Sequence, residues 1–288
     1  GKEHDDGLDA SKQFPPKEWA YADADALEKH VYDYTKDVLL KLKRLDLLPE
    51  MVQVGNEITN GLMWPHGKWD NVDNIARFIS AGIRAVREVS PDSRVMLHLD
   101  CGGNNARCRE WFDAYVQRGE DFDVIGLSYY PFWHGTIDDL TNNMNDLSQR
   151  YQKDVIVAEV SMGFTMEDYA DYEKLGPDDR KGYATKPSLV ENLDYPMTPE
   201  GQAEFMNDIM KLIDDVPGGD GFYYWEAGWI PVPGSGWATE GALSYIEESG
   251  PCGNEWANQA LFDYDGHALP ALKTIRDYKP LHSDYPLK

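Results

Sequence analysis

The sequence predicts an α/β protein in which a parallel sheet is covered by helices on both faces. Three observations carry that expectation. Short runs rich in Val, Ile and Leu alternate with longer segments whose apolar residues recur at helical spacing. Each run is followed by such a segment, the order that parallel strands need. The chain, at 288 residues and 42% hydrophobic, is large enough to bury one barrel-sized core, so a single domain over residues 1–288 is expected. At this level a barrel and a doubly wound sheet both fit.

Taken in order, the elements begin with a helix over residues 23–45, where Leu27, Val31, Tyr34, Val38, Leu42 and Leu45 recur at helical spacing among charged residues. It stops before Pro49, and residues 51–55 read as a short buried strand. A helix over 72–86, a strand over 95–99, a helix over 111–116 and a strand over 122–128 follow. Thr136-x-x-Asp139 is a capping pattern that opens the next helix. Residues 155–158 form a strand, and Thr198-Pro199-Glu200 starts a helix with Thr as cap and Pro in the first turn. The last strand covers 222–225. That makes five strands, where a closed barrel of this type has eight. Residues 165–197 and 231–258 are long polar stretches that follow strand ends, on the face where such sheets carry their active sites.

Charge narrows the partners. Asp and Glu number 51 against 27 Lys and Arg, a net charge of -24, which repels nucleic acid, anionic lipid and polyuronic acid but is indifferent to neutral sugars. No run of 18 apolar residues exists, so no membrane span is expected. Gly1-Lys2-Glu3-His4-Asp5-Asp6 is polar, so any export signal is expected to lie outside this chain. Many of the 9 Trp and 17 Tyr sit beside turn residues, as ring platforms for a ligand or as filling for the core and its rim. Cys101 and Cys108 are close enough for a small loop disulfide; three free thiols, with Cys252, are equally compatible. No zinc-type or P-loop pattern appears, and His66 and His134 stand alone, so no metal site is expected.

The chemistry concentrates at strand ends. Val52-Gln53-Val54-Gly55 delivers Asn56-Glu57, and a Glu there can protonate a departing glycosidic oxygen while the Asn amide binds the sugar 2-OH. The plainer alternative is a turn that caps the next helix. Val155-Ile156-Val157-Ala158 ends in Glu159, a second carboxylate with no solvent-side role, although it also suits a helix start. Glu226, after Trp225, competes with Glu159 for the part of nucleophile. A retaining pair stands about 5–5.5 Å apart and an inverting pair about 6.5–9.5 Å. Glu57 is expected to stay protonated and Glu159 ionised, held by the hydroxyl of Tyr129 or Tyr130. His98 and Asp100 are further polar strand-end groups, and His98 fits a core histidine as well as a ligand contact.

Together these residues identify a resemblance. Val52-Gln53-Val54-Gly55-Asn56-Glu57, Trp64-Pro65, His98-Leu99-Asp100, Gly126 to Trp133, Thr198-Pro199-Glu200-Gly201-Gln202, Tyr224-Trp225-Glu226, Gly236-Trp237-Ala238 and Asn258 to Asp263 follow in the order found in the endo-β-1,4-galactanases of glycoside hydrolase family 53. The resemblance implies a (β/α)8 TIM barrel and retaining hydrolysis of β-1,4-galactan, with Glu57 as acid/base and Glu159, not Glu226, as nucleophile. It also implies a substrate site containing Asn56, Trp64, His98, Asp100, Tyr130, Trp133 and Trp225, with Trp225 as the floor of the subsite at the cleaved bond. A neutral polysaccharide partner, a monomer, and an extracellular, cell-surface or periplasmic location follow from the same resemblance. Two departures stand out. The family's first three β-strands are absent ahead of Gln13-x-x-Pro16-x-x-Trp19, which leaves the strand at 51–55 with a free edge. The loop in which some members hold a structural Ca²⁺ offers Glu247, Glu248 and Asn254 without regular ligand spacing; no cofactor is expected to be required. The alternatives are a truncated barrel that binds galactan without cleaving it, and a glycanase for another neutral β-1,4 polymer such as mannan.

Overall fold

The structure is a computed structural model and describes residues 13–167, 187–191, 193–231, 241, 244 and 256–280. Its centre is a five-stranded parallel sheet in the order β1-β2-β3-β4-β5: β1 (Met51–Gln53), β2 (Arg94–Leu99), β3 (Val124–Tyr129), β4 (Asp154–Val160) and β5 (Gly219–Tyr224). Every strand is where the apolar runs predict one, with ends that differ by at most three residues. Strand order follows chain order, as expected when each strand is joined to its neighbour through a helix.

The connecting helices start at side-chain caps. Asp23 accepts from the Ala26 amide ahead of α1 (Ala24–Arg44), and Asn71 from Asn74 ahead of α2 (Val72–Val89). Helix α3 (Asn105–Val116) begins six residues before the predicted start because Asn104 caps it. The apolar period shows only from Trp111 onward, so its first turn is invisible to a pattern reading. Thr136 and Asp139 form the anticipated capping box of α4 (Ile137–Tyr151). After the short α5 (Pro187–Val190), Thr198 caps α6 (Pro199–Asp215), and α7 (Pro270–Asp277) packs beside it.

The two faces of the sheet are different. One carries the main core, in which Val95, Leu97, Leu99, Ile125, Leu127, Val155 and Val157 meet the helix layer through Phe78, Trp111, Phe112, Leu140 and Phe205. The other carries a small cluster of Met96, Val124, Ile156 and Ala158 with Met51 beside it, the floor beneath the polar strand ends. β2, β3 and β4 are almost fully buried, whereas β1 is half-buried throughout and β5 nearly so. Among the described residues β1 pairs only with β2 and β5 only with β4, so five strands of the expected eight are seen and the sheet is not closed within them.

A register shift in β4 matters for the site. Leu127 pairs with Val157 but Ser128 with Glu159, so Ala158 is an extra residue, a β-bulge. Strict alternation after Val157 would turn Ala158 toward the inner face and Glu159 toward the helices. With the bulge both face inward, and Val160 returns to the helix-facing core. Nearby, the Cys101 and Cys108 sulfurs lie 3.0 Å apart as free thiols, while Cys252 is outside the described residues. No helix among the described residues is long and apolar enough to cross a membrane.

Candidate active site

Glu57 is delivered by a tight turn. Gly55 has φ 84°, and a Cβ there would lie 2.6 Å from Ile58 Cγ2, so only glycine lets the chain leave β1 this way. Glu57 itself is left-handed at φ 48° and ψ 51°, a conformation that costs a non-glycine residue about 1–2 kcal/mol and persists where its surroundings impose it. Those surroundings are visible. The buried Trp111 donates from Nε1 to the Ile58 carbonyl at 3.1 Å, Arg107 donates to the Thr59 carbonyl at 2.8 Å, and Thr59 Oγ1 accepts the Asp100 amide at 3.1 Å. From the front, the Gln13 amide reaches the Asn56 carbonyl at 3.1 Å. The Glu57 carboxyl is then met by Ser128, whose Oγ lies 2.6 Å from Oε1.

Glu159 enters from β4 by way of the bulge. The Tyr130 hydroxyl donates to its Oε2 at 2.7 Å, which answers which of the two tyrosines does so; Tyr129 points the other way, into the core, and donates to the Gly135 carbonyl. Burial, with Glu159 alongside, holds the Tyr130 phenol well above its ordinary value, so it remains a donor. Burial also pushes the Glu159 carboxyl up, with Asp100 and Glu226 adding like charge, while hydrogen bonds from Tyr130 and the Asn56 amide pull it down. Burial is the largest of these influences, and the Tyr130 hydrogen bond is the first of those that favour the ionised form.

One atom each of Glu57, Glu159 and His98 lies within 4.8 Å of the other two. The two carboxylates thus approach each other to within 4.8 Å at one oxygen each. Both His98 nitrogens are engaged, Nε2 with Ser128 Oγ at 2.8 Å and Nδ1 with Asn56 Oδ1 at 3.2 Å, so the imidazole belongs to a hydrogen-bond network. Burial, and His134 nearby, push its pKa down to about 3, which makes it neutral. Glu226 is exposed beyond β5 and influences Glu159 through charge. Among the described residues it is Glu159, of these two, that has the Tyr130 donor and lies beside Glu57 and His98.

Aromatic rings line the cleft. Tyr130 meets Trp133 at 5.7 Å and Trp225 at 6.1 Å, and Trp256 joins Trp225 at 5.3 Å and Trp133 at 6.4 Å, all edge to face.

The profile of Glycosyl hydrolase family 53 matches residues 4–275. The chain belongs to this family. An endo-β-1,4-galactanase of Bacillus subtilis is 35% identical over 287 residues, covering 93% of this chain and 64% of that protein. The catalytic domain of the Ignisphaera aggregans family 53 enzyme superposes with a TM-score of 0.81 at 37% identity, over 93% of this chain and 69% of that one. A structure described under two fungal β-1,4-galactanases gives 0.72 at 27% identity, over 94% and 74%. The chain thus spans about two thirds of the length of such relatives.

Within this family 53 chain, the structure gathers Asn56, Glu57, His98, Tyr130, Trp133, Glu159 and Trp225 around one cleft, with Asp100 close enough to act on Glu159 by charge. Asn56 is turned to its protein neighbours, accepting from Gln53 at 2.9 Å and reaching Glu159 with its amide. Trp64 has its own neighbours: Phe14 packs edge-on against its ring, Lys68 lies over it at 4.7 Å, and its Nε1 donates to the Asn60 carbonyl. Sequence reasoning missed Gln53, Trp256 and the part played by Ser128. Ser128 had a signal, since it lies two residues before Tyr130 and so on the same face of β3. Gly236-Trp237-Ala238 and the candidate calcium residues Glu247, Glu248 and Asn254 lie outside the described residues.

Proposed function

We propose that this chain carries the catalytic apparatus of a retaining endo-β-1,4-galactanase. The observation that carries the reading is the pairing of Glu57 and Glu159 within 4.8 Å, one under Ser128 and the other under Tyr130. In the first step Glu159 attacks the anomeric carbon while Glu57 gives its proton to the departing glycosidic oxygen. In the second, Glu57 takes a proton from water, which displaces Glu159 from the same carbon. Trp225 and Trp133, both partly exposed, offer ring surface to the sugars with the buried Trp256 packed behind them, and a net charge of -24 suits an uncharged polymer. Galactan is the substrate favoured by the names of the Bacillus subtilis and fungal relatives.

The finer parts of the reading are a barrel completed to eight strands against the half-buried β1 and β5, a monomer, and action outside the cell, where a polymer of this size is met. Reducing-sugar release from β-1,4-galactan, set against mannan and xylan, tests the substrate. Proton NMR of the first product tests the mechanism. A β-anomer formed first supports retention, while an α-anomer, or equal action on mannan, overturns the proposal.

A further inference from the structure

The network around Glu57 has a direction that hydrogen-bond counting fixes. Gln53 Nε2 touches the Gly55 carbonyl at 2.8 Å and Asn56 at 2.9 Å. A carbonyl only accepts, so the Gln53 atom is the amide NH2, and the Asn56 atom that its second hydrogen meets is the acceptor Oδ1. His98 Nδ1 faces that same oxygen at 3.2 Å and must carry a hydrogen to bond it. His98 is fully buried and neutral, so its other nitrogen, Nε2, has only a lone pair. That lone pair lies 2.8 Å from Ser128 Oγ. If the single Ser128 hydrogen goes there, the serine oxygen offers only lone pairs to Glu57 Oε1, 2.6 Å away, and a hydrogen on the carboxyl must fill the gap.

We propose that Gln53, Asn56, His98 and Ser128 form a one-directional hydrogen-bond chain that keeps the proton on Glu57, with His98 and Ser128 as positioning residues for the acid. With Glu57 protonated every link is made: Glu57 donates to Ser128, Ser128 to His98, and His98 to Asn56. With Glu57 ionised the serine has one hydrogen for two acceptors. It turns to the carboxylate and leaves His98 Nε2 facing an oxygen lone pair, so ionisation costs one hydrogen bond. The inference rests on the reading of Glu57 as the general acid and adds how it is kept ready. Once the proton has gone to the leaving oxygen, rotation of the Ser128 hydroxyl gives the new carboxylate a donor while it serves as base.

Other groups face the same cleft: Glu159 from β4, Tyr130 just beyond β3, Asp100 beyond β2 and Glu226 beyond β5, with His134 close to His98. The carboxylates among them also favour a proton on Glu57, and all remain when His98 is replaced, so the contribution of the chain can be isolated. The test uses the 288-residue chain labelled with ¹⁵N in histidine and ¹³C in the Glu side-chain carboxyl. At neutral pH the His98 proton is expected on Nδ1, and in His98→Phe the Glu57 titration midpoint is expected to fall by about one pH unit, the worth of one hydrogen bond. A merely structural histidine would leave that midpoint in place. A proton on Nε2, or an unmoved midpoint, overturns the proposal. The tautomer is read on the unsubstituted chain and decides the matter even if His98→Phe does not fold. Absence of galactan hydrolysis with both readouts as expected would sink the assigned function and leave the chain of hydrogen bonds standing.

Discussion

Glu57 and Glu159 meet in one cleft, yet they are held by opposite kinds of backbone. Glu159 sits inside a hydrogen-bonded strand paired to β3, displaced only by the bulge at Ala158. Glu57 has left its strand at a left-handed residue and is placed by what surrounds the turn: Gly55, Trp111, Arg107, Thr59 and the Ser128–His98 pair. The nucleophile candidate is positioned by the sheet and held by burial, while the acid candidate is positioned by side chains and costs local strain. A rigid ladder suits a group that must aim at one carbon, and a side-chain network suits one that changes protonation twice per cycle.

The sharpest break in the comparison is chemical. Glu159→Ala is expected to lose hydrolysis of every substrate, whereas Glu57→Ala loses about 10²–10⁴-fold on galactan, the usual worth of a general acid, and much less on an aryl glycoside whose leaving group needs no proton. Glu226→Gln is expected to keep substantial activity; loss as deep as that of Glu159→Ala would reassign the nucleophile. Next in size, Tyr130→Phe removes a hydrogen bond to a charged group and should cost about 10–100-fold in kcat. Since that bond lowers the Glu159 pKa against the upward push of burial, its loss moves the acid limb of the rate profile to higher pH.

Stability separates the two regions further. Gly55→Ala places a methyl 2.6 Å from Ile58 on a backbone at φ 84° and is expected to cost more than about 1 kcal/mol in urea unfolding. Gly126→Ala, on the strand floor, meets the flexible Met96 sulfur at 2.8 Å and should cost less. The smallest effect expected is a gain. Burial raises the Glu159 carboxyl in the folded state, so the folded protein holds that proton more tightly than the unfolded chain does. The stability it confers is full below the unfolded value of about 4.3 and is lost as pH rises toward the folded value. Glu159→Gln should therefore raise Tm at pH 7 and lose that advantage near pH 4; a lower Tm at pH 7 would show that hydrogen bonds outweigh burial at this site.

Much of this was legible in residue order. Apolar runs ending in Asn56-Glu57 and Glu159 marked the cleft because strand ends in parallel βα sheets face one way. Thr136 and Asp139 marked a helix start because capping is local. What stayed hidden depends on register between strands. The bulge at Ala158 contradicts simple alternation, and without it Glu159 would be read as facing the helices. The Ser128–His98 link joins residues on neighbouring strands, and Trp256 reaches Trp225 across a long connection that no period describes. Trp64 has Lys68 over its ring and Phe14 edge-on beside it, and the contact with Phe14, fifty residues away in the chain, is of the same long-range kind.

The indoles of the cleft have a consequence in optics. Trp133, Trp256, Trp225 and Trp229 form a connected series with centroids 6.4, 5.3 and 6.5 Å apart, four of the nine tryptophans in the chain. Excitation of any one of them is shared along the series, so emission from the whole set depends on its most quenched or most solvated member. A ligand that shields any one ring from water changes the light from all four, which makes the cleft its own unlabelled reporter of occupancy.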